Sequence, residues 1–212
     1  MDAIEQLPGY LNDSAGWDRP AVLVNHEWWG ANRQIREVAD RLAKERFVTF
    51  VPDLYHGKVA TDPEGAAKLM RALDWKRAMR DLAAAVAAVR AKAPGAVVGI
   101  MGFSLGGAVA LMGAARVPEL RASVAYYGIP EGVDLSSISM PVQGHFATQD
   151  TLFTPGMVDA LEAALKKGGG KVELYRYDAP HAFANESHEV HRPEHARTAW
   201  DRTVKFLHQH LG

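Results

Sequence analysis

Three residues have the types and the order that nucleophilic acyl transfer requires: Ser104, Asp150 and His181. Ser104 is the centre of Gly102-Phe103-Ser104-Leu105-Gly106, a Gly-x-Ser-x-Gly pattern that follows an apolar run and precedes a helix-like stretch of small residues. A strand that turns sharply into a helix exposes a serine hydroxyl on the corner and holds that residue in a strained backbone conformation. A side chain at Gly102 or Gly106 would collide with the neighbouring strand or helix, so both glycines are expected to be required by packing. An imidazole such as His181 can accept the hydroxyl proton and return it to a leaving alcohol, while a carboxylate such as Asp150 orients the imidazole. The order Ser, Asp, His along the chain differs from that of trypsin-like and subtilisin-like enzymes.

The elements that must position these groups are legible as alternating periodicities. Short apolar runs at 21–25, 47–51, 97–102, 122–127, 142–147 and 172–177 read as buried strands. Helical patterns occupy 33–46, 63–93 in two pieces, 105–116, 155–167 and 193–210. Six strands separated by helices predict an α/β fold, a mostly parallel sheet with helices on both faces, and no repeat or linker divides residues 1–212, so one domain is expected. Ligands of such sheets sit beyond the carboxyl ends of the strands. Four chemically equipped segments fall there: His26-Glu27-Trp28-Trp29-Gly30, Ser104, Gln149-Asp150, and Asp178-Ala179-Pro180-His181-Ala182-Phe183.

Composition narrows the function. The chain has 212 residues, 48% hydrophobic, and a net charge of -1 from 24 basic and 25 acidic residues that are interleaved rather than blocked. That pattern lacks the basic footprint of a nucleic-acid binder and points to a small-molecule substrate. An acidic N-terminal segment and the lack of a membrane-length apolar stretch predict a cytoplasmic protein with no membrane partner. Zero cysteines exclude disulfides, thiolate metal sites and a cysteine nucleophile. A monomer or weak homodimer is expected.

Taken together, these segments resemble the dienelactone hydrolase family of the α/β-hydrolase superfamily over nearly the full chain. The resemblance is carried by His26-Glu27-Trp28-Trp29-Gly30, Pro52-Asp53-Leu54-Tyr55, Gly102-Phe103-Ser104-Leu105-Gly106-Gly107, Tyr126-Tyr127-Gly128, the Asp150 turn and His181-Ala182-Phe183. It implies an α/β-hydrolase fold, with Ser104 as nucleophile, His181 as base and Asp150 as its orienting acid. It also implies an oxyanion hole formed by the backbone N–H groups of Leu105 and Trp28, with no cofactor.

The chain departs from the best-known members of that family at three points. Those enzymes use a cysteine where Ser104 stands, and they bind a substrate carboxylate through two arginines. Here Asn185 stands four residues after His181, and Pro63 aligns with the other arginine, with Lys58, Lys68 and Arg71 nearby as alternative cations. Neither Asn nor Pro reproduces a bidentate arginine anchor. A neutral carboxylic ester is therefore the expected substrate, with a dienelactone or other lactone, or binding without turnover, as the alternatives.

Glu27 matches a glutamate that helps to activate the thiol in the cysteine enzymes. A serine hydroxyl is far less acidic than a thiol, so Glu27 is expected to be hydrogen-bonded away or partly protonated and to support the site. Trp28, Trp29, Tyr127 and Phe183 are candidates for the walls of an acyl or alcohol pocket, as is Asn185; plain core packing is the competing reading. Asp150 has a competing reading as a cap of the helix near Thr154. His188, His191 and His195 have the look of metal ligands, but Pro193 interrupts any helix through all three, and no metal is expected.

Overall fold

A computed structural model describes residues 2–212. Seven strands form one sheet: β1 (Gly9–Asn12), β2 (Ala21–Asn25), β3 (Val48–Pro52), β4 (Val98–Phe103), β5 (Leu120–Tyr126), β6 (Val142–Ala147) and β7 (Val172–Tyr177). The spatial order is β1-β3-β2-β4-β5-β6-β7, with β1 antiparallel to β3 and every other pair parallel. No apolar run or alternation in the sequence marks β1. Its four residues, Gly-Tyr-Leu-Asn, are too few and too mixed to show a period, and the strand is specified by pairing with the buried β3.

Six α-helices cover the sheet: α1 (Arg33–Lys44), α2 (Pro63–Arg71), α3 (Trp75–Lys92), α4 (Leu105–Arg116), α5 (Pro155–Lys167) and α6 (Pro193–Leu211). The two-piece helix predicted for 63–93 divides where Asp74 caps α3 by accepting the Arg77 N–H; Asp62 caps α2, with Pro63 at its first position. Strands β2, β3, β4 and β6 are buried at every position, because alternate residues meet different helical layers. Val22 and Val24 pack in one layer with Ile35 and Leu42 of α1 and Phe206 and Leu207 of α6. Ala21 and Leu23 pack in the opposite layer with Leu82 and Val86 of α3 and Val109 of α4. A third cluster joins Leu111 of α4, Phe146 of β6 and Leu161 of α5.

Helix α4 is buried on nearly all sides, ten of its twelve residues being buried. Its small residues permit this, since a Cβ at Gly106 would run into the carbonyl groups of Asn25 and His26, and one at Gly107 would meet the Tyr126 carbonyl. The first turn of α4 therefore lies against the carboxyl ends of β2 and β5. Among the described residues, no helix is long and apolar enough to cross a membrane.

Candidate active site

Strand β4 ends at Phe103, and the chain reverses into α4 through Ser104, whose φ of 51° and ψ of -112° lie outside the regions that L-residues ordinarily occupy. The strain is held by its surroundings. The Ser104 N–H donates to the Tyr126 carbonyl at 2.9 Å, and its own carbonyl accepts from Ala108 in the first turn of α4. A Cβ at Gly102 would enter the Gly106 carbonyl, and one at Gly128 would enter the Ser104 carbonyl, so glycine is required on both sides of the turn. Five non-glycine residues have positive φ among the described residues, and three of them, Ser104, Tyr127 and Ala182, cluster here.

The Ser104 hydroxyl lies 2.9 Å from His181 Nε2, and His181 Nδ1 lies 2.7 Å from Asp150 Oδ2. These three groups arrive from the loops after β4, β6 and β7. The last two loops are tied together, since Thr148 N–H donates to the Tyr177 carbonyl, Gln149 N–H to the Ala179 carbonyl, and Gln149 Nε2 to Asp178 Oδ1. Asp150 Oδ1 accepts the N–H groups of Leu152 and Phe153 at 2.8 and 3.0 Å. Burial works to raise the Asp150 pKa, but the hydrogen bonds from His181 and these two N–H groups outweigh it and hold the carboxyl below its ordinary value. Thr154, not Asp150, is the N-cap residue of α5. Asp150 braces its own turn with one oxygen and faces His181 with the other.

Glu27 is 5% exposed. Its Oε1 accepts from the Tyr127 hydroxyl at 3.2 Å and its Oε2 from Asn185 Nδ2 at 2.6 Å. Burial raises its pKa above the ordinary glutamate value, only partly opposed by Asn185, His181 and Tyr127. Tyr127 is itself pushed well upward by burial and by the negative charge of Glu27, so it stays protonated and donates.

The pocket candidates divide. Trp28 and Trp29 are half-buried and meet edge to face at 5.2 Å between ring centroids. Tyr127 and Phe183 are fully buried, and Asn185 is 4% exposed. Tyr127 packs against His181 at 5.0 Å and Phe183 at 5.5 Å, so its ring backs the imidazole instead of presenting an open wall. Pro63 is exposed at the start of α2, and Lys58, Lys68 and Arg71 are exposed as well. His195 packs on Tyr177, His188 Nδ1 accepts from Val190 N–H, and Pro193 opens α6 between them.

Two further neighbours of the site carry no functional signal in residue type alone. Phe153 lies 5.8 Å from the His181 ring, and an apolar residue three positions after the acid carries no signal of its own. His26 is fully buried and bonded to both the Glu27 carbonyl and the Leu54 N–H. Its place within His-Glu-Trp-Trp-Gly at a strand end was the available signal.

A strained serine between strand and helix, with an imidazole and a carboxylate brought in from the carboxyl ends of later strands of a parallel sheet, defines an α/β-hydrolase. The chain belongs to the dienelactone hydrolase family, whose model matches residues 7–211. It is 37% identical over 220 residues to a "Putative carboxymethylenebutenolidase" of Aquifex aeolicus, covering 97% of this chain and 94% of that one. It is 32% identical to a "Probable 2-oxo-3-(5-oxofuran-2-ylidene)propanoate lactonase" of Bradyrhizobium sp., covering 91% of this chain and 84% of the other. A crystal structure of a "putative dienelactone hydrolase" from Klebsiella pneumoniae superposes with a TM-score of 0.82 at 26% identity, over 91% of this chain and 88% of that one. The protein is a hydrolase of this family.

Proposed function

We propose that the protein is a serine carboxylesterase that cleaves small neutral esters through an acyl-enzyme on Ser104. The observation that carries this reading is the hydrogen-bonded series Ser104 Oγ, His181 Nε2, His181 Nδ1 and Asp150 Oδ2, at 2.9 and 2.7 Å. Ser104 attacks the ester carbonyl while His181 takes the hydroxyl proton. Asp150 holds the imidazole in the tautomer that leaves Nε2 free to accept, and stabilises the imidazolium that forms. The N–H groups of Leu105 and Trp28 receive the oxyanion; neither donates a hydrogen bond elsewhere among the described residues. His181 then protonates the leaving alcohol, and water repeats the sequence to release the acid.

Glu27 is not the base in this scheme, because both its oxygens are engaged by Tyr127 and Asn185 while the serine hydroxyl is bonded to His181. A neutral substrate is favoured because Asn185 is turned inward to Glu27 and Pro63 offers no donor. The second reading, a lactone hydrolase, is favoured by the lactonase-named relative, and the same residues would open a lactone ring.

Steady-state hydrolysis of a short-chain aryl ester, a neutral lactone and an anionic dienelactone by the wild type and Ser104→Ala tests both readings. Ester turnover that is abolished in Ser104→Ala, with a lower kcat/KM on the dienelactone, is expected. A dienelactone kcat/KM above that of the ester would establish the second reading, and ester turnover surviving in Ser104→Ala would overturn the acyl-enzyme.

A further inference from the structure

His26 and Glu27 stand side by side after β2, yet their side chains serve different structures. Glu27 reaches Tyr127 and Asn185, whereas His26 is sealed between the loop after β2 and the loop after β3. His26 Nδ1 is 2.6 Å from the Glu27 carbonyl oxygen, and His26 Nε2 is 3.2 Å from the backbone nitrogen of Leu54. The tautomer follows from these partners. An N–H faces Nε2, which must therefore present its lone pair, and a carbonyl faces Nδ1, which must carry the proton. Burial lowers the His26 pKa, so the neutral ring persists at neutral pH. Tyr55 covers the ring at 5.0 Å between centroids.

The bond to the Glu27 carbonyl fixes more than one atom. In a planar trans peptide the C=O and N–H vectors point in opposite directions, and the N–H of the peptide whose carbonyl belongs to Glu27 is that of Trp28. Gripping the carbonyl on one side aims the Trp28 N–H to the other. Gly30 N–H also donates to the Glu27 carbonyl, but at 3.3 Å, so the shorter bond is the one from His26. Rotation of this peptide would direct a carbonyl oxygen at a developing negative charge and remove a donor from it.

We propose that His26 is the positioning residue of the oxyanion hole, holding the Glu27–Trp28 peptide in the orientation that presents the Trp28 N–H to the tetrahedral intermediate. This rests on the acyl-enzyme reading of Ser104. It places a second histidine function in the chain beside the base His181, one that never exchanges a proton with substrate. The loop after β3 enters the reaction by the same route, since Leu54 N–H fixes the tautomer that makes Nδ1 a donor.

Two substitutions separate the two nitrogens. The side-chain amide of His26→Asn can occupy the Nδ1 position and keep a donor toward the Glu27 carbonyl. The longer amide of His26→Gln reaches the Nε2 position and leaves the Nδ1 position empty. Loss of one oxyanion donor costs roughly 10²–10³ in rate, so His26→Gln is expected to lower kcat by about 10- to 100-fold with KM changed only a few-fold. Affinity for a trifluoromethyl ketone that forms a tetrahedral adduct should fall in parallel. His26→Asn should rescue most of that loss. Equal losses in both variants, or a kcat unaffected in His26→Gln, would overturn the proposal. If His26→Gln does not fold, His26→Asn decides alone: a kcat within about 3-fold of wild type supports the donor, and a larger drop at unchanged Tm overturns it. Labelling of wild-type Ser104 by a fluorophosphonate keeps the two readings apart. An unlabelled Ser104 overturns both, whereas labelling together with full turnover in His26→Gln overturns only the role of His26.

Discussion

Asn185 and Glu27 stand 158 positions apart in the chain and are joined by a 2.6 Å hydrogen bond from Asn185 Nδ2 to Glu27 Oε2, with both side chains buried. An amide at this position satisfies the carboxylate without neutralising it. Glu27 is consequently held by two neutral donors, Asn185 and Tyr127, and burial keeps its pKa above the usual value of 4.5. The same bond turns the Asn185 amide inward toward Glu27.

The raised pKa has a sign that stability measurements can read. A carboxyl whose pKa is higher in the folded state keeps a proton that the unfolded chain has already released. Its contribution is complete below about pH 4.5 and declines as pH rises from there through the folded-state value. Glu27→Gln removes this titration. The variant can keep an oxygen toward Asn185 Nδ2 only by setting its amide N–H toward the Tyr127 hydroxyl, which must then accept instead of donate, so the slope with pH is the informative quantity. Urea midpoints from pH 4 to 8 should show the wild type losing stability relative to Glu27→Gln as pH rises. A pH-independent difference would refute the assignment.

Asp150→Asn separates catalysis from loop structure. The replacement keeps an oxygen that can accept from Leu152 and Phe153, while an amide facing His181 Nδ1 favours the wrong imidazole tautomer. We expect kcat to fall by about 10³–10⁴ on an aryl ester, with a far-UV spectrum unchanged from wild type. A loss of less than 10-fold would remove Asp150 from the proposed series.

Glycines that look alike in the sequence should behave in opposite ways. At Gly106 a Cβ meets backbone carbonyls of Asn25 and His26, which cannot move without displacing β2. Gly106→Ala is expected to destabilise the fold by about 3 kcal/mol or more. Gly156 sits in the first turn of α5, where a Cβ would meet nothing within 4 Å. Gly156→Ala should stabilise by about 0.5–1 kcal/mol through reduced backbone entropy of the unfolded chain. Denaturant unfolding of both variants checks the pair, and similar midpoints would contradict the packing argument.

The sequence was most readable where one local rule sufficed. The run before Gly102, the small residues after Ser104 and the strand-end positions of Asp150 and His181 placed the reactive groups on one edge of a parallel sheet. Strand β1 was not legible, because four mixed residues carry no period and depend on β3 for their conformation. The burial of Tyr127 was equally hidden. Two adjacent tyrosines end a strand in the sequence, but the chain leaves β5 at Tyr126, and Tyr127 turns at a φ of 37° to pack behind His181. Asn185 could be recognised as a replacement for arginine, but its partnership with Glu27 joins two loops and required the fold. His26 was hidden for a different reason: its role lies in what it does to a neighbouring peptide, and residue type alone does not disclose that.

A fourth prediction concerns His145, whose buried hydrogen bonds leave no place for a second proton. Nε2 faces Gln143 Oε1 at 2.9 Å and Thr203 Oγ1 at 3.0 Å, and Nδ1 faces the Tyr177 hydroxyl at 2.8 Å. Arg202 Nη1 donates to that hydroxyl, so the tyrosine proton is directed to Nδ1 and the neutral ring carries its hydrogen on Nε2. Protonating Nδ1 would set two donors against each other beside a cation. Burial, followed by the charge of Arg202, depresses the pKa from 6.5 to about 3. For a histidine depressed on folding, the stabilisation is fully present above pH 6.5 and is lost as pH falls from there toward 3. The ¹⁵N shifts of His145 should remain those of a neutral ring at pH 5. In urea unfolding, the advantage of wild type over His145→Gln should shrink between pH 7 and pH 5, while other histidines cancel in the difference. A cationic ring at pH 5, or an advantage that does not change, would show that this network accommodates the proton.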